Sequence, residues 1–203
     1  FSSSNLMTMS QYLPDGGIVV LALLIVVAAG GIDLSVGSNF AMSAFVALFA
    51  FHILELPIWA VLAMSVIVGA MVGVLNGTLA GLLGCGALLT TLGTMITVRG
   101  LYTVGSQSQL VAISSSARMD DTWDYIGFDR IGGLTVGFWI FAAVAVAVFF
   151  MYRQSRFGWH LLAVGGNRKA ARNGGIGVKR TVFMAYVLAG ALVGLAGFFY
   201  AAR

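Results

Sequence analysis

The chain holds 203 residues, 60% of them hydrophobic and only 9% charged, with 27 glycines, 2 prolines, 1 cysteine and a net charge of +4. Soluble domains carry about 25% charged residues, whereas here residues 56–98 contain no Asp, Glu, Lys or Arg. These counts exclude a disordered chain, a disulfide scaffold and a nucleic-acid-binding domain, and with a mean hydropathy of +0.98 they indicate an integral membrane protein.

The chain opens Phe1-Ser2-Ser3-Ser4-Asn5, without an initiator Met, a basic leader or a cleavage site, and stops at Tyr200-Ala201-Ala202-Arg203 on the edge of an apolar segment. Both ends are therefore expected to be cut from something longer. Hydropathy predicts an all-α, polytopic helix bundle in one transmembrane domain over residues 1–203, with about six spans near 17–29, 34–51, 58–79, 82–101, 133–152 and 181–200. The first is short, so it either reaches back towards Tyr12 or meets a break at Gly30-Gly31. The stretch 102–132 is expected as an external loop, since it carries Asp120, Asp121, Asp124 and Asp129 against Arg118 and Arg130.

Orientation follows from the basic residues. Arg153, Arg156, Arg168, Lys169, Arg172, Lys179 and Arg180, seven of the eleven, crowd into the connection 153–180, which holds no acid. Positive charge in a short loop marks the cytoplasmic side. Counting back from there, the turn 54–57 with His52 and Glu55 beside it is external, and the turn 81–86 is internal. Trp59 and Trp139 then open spans at the outer edge, while Tyr152 and Trp159 flank the inner one. Cys85 lies in an apolar run and is expected to be a small buried hydrophobe.

Small residues predict how the helices pack. Gly69, Gly73, Gly77 and Gly81 recur every four residues, and Gly190 and Gly194 repeat the pattern in the last span. Such rows let helices approach closely. They argue for a tight bundle and for no particular function.

Three features carry functional expectations. The first is Gly30-Gly31-Ile32-Asp33-Leu34-Ser35-Val36-Gly37-Ser38, a polar interruption between two spans. Asp33 caps the next helix by accepting from the Ser35 or Val36 N–H, or else it belongs to a broken helix beside a translocation pathway. The second is Asn167-Arg168-Lys169-Ala170-Ala171-Arg172-Asn173-Gly174-Gly175, which reads as a short helix with Asn167 as N-cap and Gly174 as its left-handed stop. A solvated basic loop explains the charge but not a capped helix with small residues, which suits docking into a partner. The third is the polar content assigned to the bundle interior: Asn76, Thr78, Thr90, Thr91, Thr94, Thr97 and Arg99. Threonine hydroxyls commonly bond their own helix carbonyls, and a sugar-sized pathway also wants such groups. Asp33, Ser35, Asn76, Thr90, Thr91 and Thr94 are the pathway candidates. No metal cluster, nucleophile–base pair, Walker A or dinucleotide fingerprint is present in the sequence, so no catalytic, cofactor-binding or metal-binding residue is expected.

Gly31-Ile32-Asp33-Leu34-Ser35-Val36-Gly37-Ser38 resembles the signature of the ribose-type sugar ABC permeases, within the branched-chain-permease superfamily. So does Thr91-Leu92-Gly93-Thr94-Met95 followed by Arg99-Gly100. Arg156-Phe157-Gly158, Ala163-Val164-Gly165-Gly166-Asn167, Ala170-Ala171-Arg172, Gly175-Ile176 and Val178 resemble that family's cytoplasmic coupling region in order and spacing. The turn Gly84-Cys85-Gly86 departs from it, lacking the usual basic residue and the frequent Pro, and the match around Gln11-Tyr12-Leu13-Pro14-Asp15 is poor.

The resemblance implies the permease subunit of an ATP-driven sugar importer in a bacterial inner membrane, with this chain as its middle portion. It implies a second permease subunit, identical or not, two ATP-binding subunits that carry ATP and Mg, and a periplasmic sugar-binding protein. Asn167, Arg168, Lys169, Ala170, Ala171, Arg172, Gly174 and Gly175 would then form the ATPase-coupling helix. Two other classes stay open on sequence grounds. An ion-coupled carrier would need Asp33 deep in the membrane and no docking helix; a structural subunit of a membrane complex would need no polar pathway.

Overall fold

An apolar run in a bilayer leaves backbone N–H and C=O groups no partner but each other, and helices satisfy them internally. A computed structural model, describing residues 3–116 and 120–203, is 83% helical with almost no sheet. Phe1, Ser2 and Arg118 lie outside the described residues. The order is α1 (Ser3–Ala28), α2 (Val36–His52), α3 (Ile58–Asn76), a π-helical turn (Gly77–Leu82), α4 (Ala87–Ser115) and α5 (Asp121–Phe128). A two-residue hairpin follows, β1 (Arg130–Ile131) against β2 (Leu134–Thr135), with Arg130 opposite Thr135. Then come α6 (Val136–Gln154), α7 (Arg156–Gly166), α8 (Arg168–Asn173) and α9 (Val178–Ala201).

Among the described residues, five helices are long and apolar enough to cross a membrane: Thr8–Ala28, Ile58–Leu82, Ala87–Gln109, Val136–Gln154 and Val178–Ala201. Helix α2, at 17 residues, is apolar but shorter. The chain is a multi-pass, all-α membrane protein.

Two boundaries move well away from the hydropathy reading. Helix α1 starts at Ser3 rather than near 17, and Pro14 sits inside it, its ring packed towards Gly137 of α6. Helix α4 starts at Ala87, after the π turn, and runs to Ser115. The first fourteen residues of the expected loop 102–132 are thus helical. The polar residues Thr103, Ser106, Gln107 and Ser108 end the apolar signal without ending the helix.

Helix α9 is the centre, packed by α1, α2 and α3. Its glycine row faces that of α3, backbone to backbone. A Cβ added at Gly69 would strike Gly190 O, and one at Gly73 would strike Tyr186 O. At Gly77 and Gly81 it would lie 2.8 Å from Phe183 O and Phe183 N respectively. Ser65 fastens the same seam, its hydroxyl within 2.8 Å of Gly194 O and 3.1 Å of Ser43 O.

One end of the bundle is closed by α5. Asp120 caps this helix through the N–H groups of Thr122 and Trp123, at 2.9 and 3.3 Å. Trp123 stacks on Phe51 at 4.1 Å between centroids and meets Phe198 edge-on. Arg203 pairs with Asp15 at 3.1 Å and donates to Gln11 O at 2.8 Å, with the Tyr12 ring 4.4 Å from its guanidinium carbon. Trp59 and Trp159 are exposed on their helices, as interfacial aromatics are. Cys85 is exposed in the turn before α4, not buried, because Gly84 takes a φ of +78° and the chain there touches little else.

Candidate functional site: the helix break and the inner connection

Helix α1 ends in a Schellman motif. Gly30 adopts a φ of +70°, its N–H bonds Val27 O at 2.9 Å, and the Gly31 N–H bonds Val26 O at 3.0 Å. Glycine at position 30 also admits a neighbour: Gly165 Cα lies 3.3 Å from where a Cβ would stand, and a Cβ on Gly165 would strike Ala28 O. The C-terminal end of α7 is therefore pressed against the end of α1. Arg168, the first residue of α8, adds a bond from Nη2 to Gly30 O at 3.2 Å.

The next carbonyl, Ile32 O, accepts from the Tyr186 hydroxyl of α9 at 2.9 Å and from Thr91 of α4 at 3.4 Å. Asp33 Oδ1 then accepts from the Ser35 N–H at 2.8 Å and the Ser35 hydroxyl at 2.6 Å. The partner is Ser35 and not Val36, and Ser35 is itself the cap residue of α2. Asn76, at the end of α3, donates to Ser35 Oγ at 2.7 Å and is fully buried, its Oδ1 without a partner among the described residues. Burial raises the Asp33 carboxyl above the usual carboxylate range, opposed by the two Ser35 hydrogen bonds. Five elements, α3, α4, α7, α8 and α9, thus contact the seven-residue break 29–35 or the residues beside it.

The threonines of α4 play a quieter part as placed. Thr90, Thr91 and Thr94 are buried. Thr91 bonds Ala87 O at 3.0 Å and Thr94 bonds Thr90 O at 3.1 Å, the back-bonding expected of hydroxyls within helices. Thr97 and Arg99, assigned to the interior by sequence, are exposed instead.

The basic connection 153–180 holds two consecutive helices, α7 and α8. Ser155 caps α7 through the Gly158 N–H at 3.0 Å, and Asn167 caps α8 through the N–H groups of Lys169 and Ala170, both at 3.0 Å. The stop of α8 falls one residue later than the sequence suggests. Gly174 has a φ of −79°, and Gly175, at +81°, closes a second Schellman motif with Gly175 N–H on Arg172 O and Ile176 N–H on Ala171 O, both 3.0 Å. Ala171 alone of α8 is buried; Arg168, Lys169, Ala170, Arg172, Gly174 and Gly175 are exposed. The helix is anchored by one methyl group and presents a cationic outer face with no acid in it.

Sequence reasoning passed over Tyr186, a single tyrosine in an apolar span, which is the kind of residue whose hydroxyl must find a buried partner. It also passed over the Asp15–Arg203 pair, whose members lie at opposite ends of the chain.

Residues 5–203 match the family described as branched-chain amino acid transport system / permease component. The chain is 30% identical over 203 residues to the ribose import permease protein RbsC of Escherichia coli strain K12, covering all of this chain and 63% of that protein. It is 31% identical over 199 residues to the L-arabinose transport system permease protein AraH of the same strain, covering 98% of this chain and 59% of that one. With the fructose import permease protein FruF of Bifidobacterium longum it shares 30% identity over 197 residues, 96% of this chain and 54% of the relative. The chain spans about three fifths of the length of these relatives. No solved structure matches it.

Proposed function

The chain belongs to the branched-chain amino acid transport system permease-component family, and from that premise we propose that it forms part of the membrane-spanning subunit of an ATP-driven importer for a sugar in a bacterial inner membrane. The observation that carries this reading is the contact between a capped, acid-free cationic helix, α8, and the break between α1 and α2. The ribose, arabinose and fructose permeases among the relatives supply the substrate class.

In this reading α8 is the coupling helix. Asn167 and Gly175 fix its two ends, Ala171 anchors it, and Arg168, Lys169, Ala170, Arg172 and Gly174 form the face that seats in an ATP-binding subunit. Two such subunits carry ATP and Mg and perform the hydrolysis, while this chain has no catalytic part in it. Their closure displaces α7 and α8 together. The Gly165–Gly30 contact and the Arg168–Gly30 bond pass that displacement to the break. Asp33, Ser35, Asn76 and Thr91 then act as the inner closure of the pathway, held shut by the bonds described above. A second permease subunit completes the pathway and a periplasmic binding protein delivers the sugar.

An ion-coupled carrier fits less well. Asp33 lies between two helix ends, beside the cationic connection, and not midway along a span. The test is reconstitution of the full-length protein with its ATP-binding and binding-protein partners in proteoliposomes. ATP-dependent uptake of ribose, arabinose or fructose is expected. Uptake driven by an ion gradient without ATP hydrolysis would overturn the proposal.

A further inference from the structure

Helix α4 carries a feature that the coupling route does not use. Arg99 is the thirteenth residue of the 23-residue span Ala87–Gln109, so it sits about 18 Å along the helix from Ala87, close to mid-span. Its side chain is exposed, and among the described residues no carboxylate pairs with it. Thr103 and Gln107 follow at four-residue intervals on the same side of the helix, also exposed, with Gly100 beside them leaving open space. The neighbouring side of α4, about 80–100° round the helix at Thr91 and Val98 and further round at Thr94, is the one buried against the bundle.

A guanidinium near mid-span is costly in hydrocarbon, and such residues face a bundle interior or a water-filled cavity. A tight helix interface is the wrong occupant. The seam between α3 and α9 shows what this molecule uses for that purpose, which is glycine and serine with backbones touching. Arg99 and Gln107 are long and would hold a second helix away. They offer instead the five N–H donors of a guanidinium and the donor and acceptor of an amide, and between them the Thr103 hydroxyl, which donates to Arg99 O at 2.8 Å and keeps its lone pairs as acceptors. That set suits a neutral polyhydroxylated solute in water, whose hydroxyl groups both donate and accept.

We propose that Arg99, Thr103 and Gln107 line the outer half of the aqueous pathway and bind the hydroxyl groups of the transported solute. This rests on the permease reading above. The experiment uses the full-length transporter with its partners in proteoliposomes, in a background where Cys85 and any other cysteine of the full-length protein are replaced by Ser and ATP-dependent uptake is retained. Thr103→Cys and Gln107→Cys are expected to react with a membrane-impermeant sulfonated thiol reagent at least tenfold faster than Leu101→Cys and Val104→Cys, which lie on other exposed sides of α4. Whichever of ribose, arabinose or fructose is taken up should slow that reaction several-fold. Equal reactivity of the four positions, or no protection by a sugar that is taken up, would overturn the proposal. In parallel, Arg99→Leu is expected to cut uptake at least tenfold with part of it regained in Arg99→Lys; unchanged uptake in Arg99→Leu would show a lipid-facing side chain and overturn it too. Absence of ATP-dependent uptake from the wild-type full-length transporter would count against the permease reading, while face-selective labelling of α4 there would still support a solvated stripe.

Discussion

Helices α4 and α9 are both long enough to span a membrane, yet they are built for opposite purposes. Helix α9 has 61% of its apolar stretch buried and a mean hydropathy of 2.2; for α4 the figures are 22% and 1.2. The first is lined with Gly and Ala, meets α3 and α2 at backbone distance and packs on α1, so its side chains are mostly spacing. The second meets the bundle mainly through α2 along one narrow side and turns polar groups outward. Span length says nothing of this difference. The size of the residues facing each neighbour says nearly all of it.

The contrast is broken most completely at the α3–α9 seam. Gly69→Leu or Gly190→Val would force apart backbones that now touch, and overpacking typically costs about 1–3 kcal/mol, with the upper end expected here because no flexible side chain can give way. Loss of a monodisperse species in detergent is expected, with a thermal midpoint far below that of wild type. The same exchanges on α4, Gly93→Leu or Gly100→Leu, meet open space and should leave the midpoint within a degree or two of wild type.

Next in size is α8, the proposed coupling helix. Ala170→Glu, on the exposed face of α8, should leave the protein folded and abolish ATP-dependent uptake while ATP hydrolysis by the complex continues; uptake at the wild-type rate would reject the docking role. Gly175→Val adds strain of roughly 1–2 kcal/mol for a side chain at φ +81°. Gly174→Val, at a negative φ with neighbours no nearer than 3.5 Å, should cost little stability and act through docking alone. Thermal unfolding and uptake measured on the pair separate the two effects.

Smaller again is Arg168→Ala, which removes one exposed hydrogen bond to Gly30 O. About 0.5–1.5 kcal/mol, or a two- to tenfold loss of coupled uptake, is expected. The smallest effect is at Asp33. Burial raises its carboxyl above the usual carboxylate range, so ionisation is harder in the folded protein than in the unfolded chain, and stability falls as pH rises through the folded value. Asp33→Asn keeps an oxygen to accept from Ser35 and should remove that decline. Thermal midpoints of the two proteins compared across pH read it directly.

Parts of this arrangement were legible because they rest on local rules. The basic cluster in 153–180, the four-residue glycine spacing and the Asn167 cap each follow from residues a turn or two apart. Hydropathy misplaced the ends of α1 and α4 for a physical reason: it measures what hydrocarbon tolerates, whereas a helix continues for as long as its backbone can bond itself, through Ser and Gln as well as Leu. The exposed Cys85 and the one-residue slip from Gly174 to Gly175 depend on turn geometry that composition does not encode. Tyr186 with Ile32, Arg168 with Gly30 and Asp15 with Arg203 join residues more than a hundred positions apart. Nothing periodic announces such pairs.

The π-helical turn at Gly77–Leu82 bears on all of this as a correction of phase. A row repeating every four residues drifts by about 40° at each step around an α-helix of 3.6 residues per turn, and would soon wind off its neighbour. Widening the last turn swings the row back, which is why Gly77 and Gly81 both come to rest on the same residue, Phe183. The loosened turn thereby also sets the bearing on which the chain departs for α4. Deleting one residue there would rotate that departure by about 100° and aim the polar side of α4 at a different compartment.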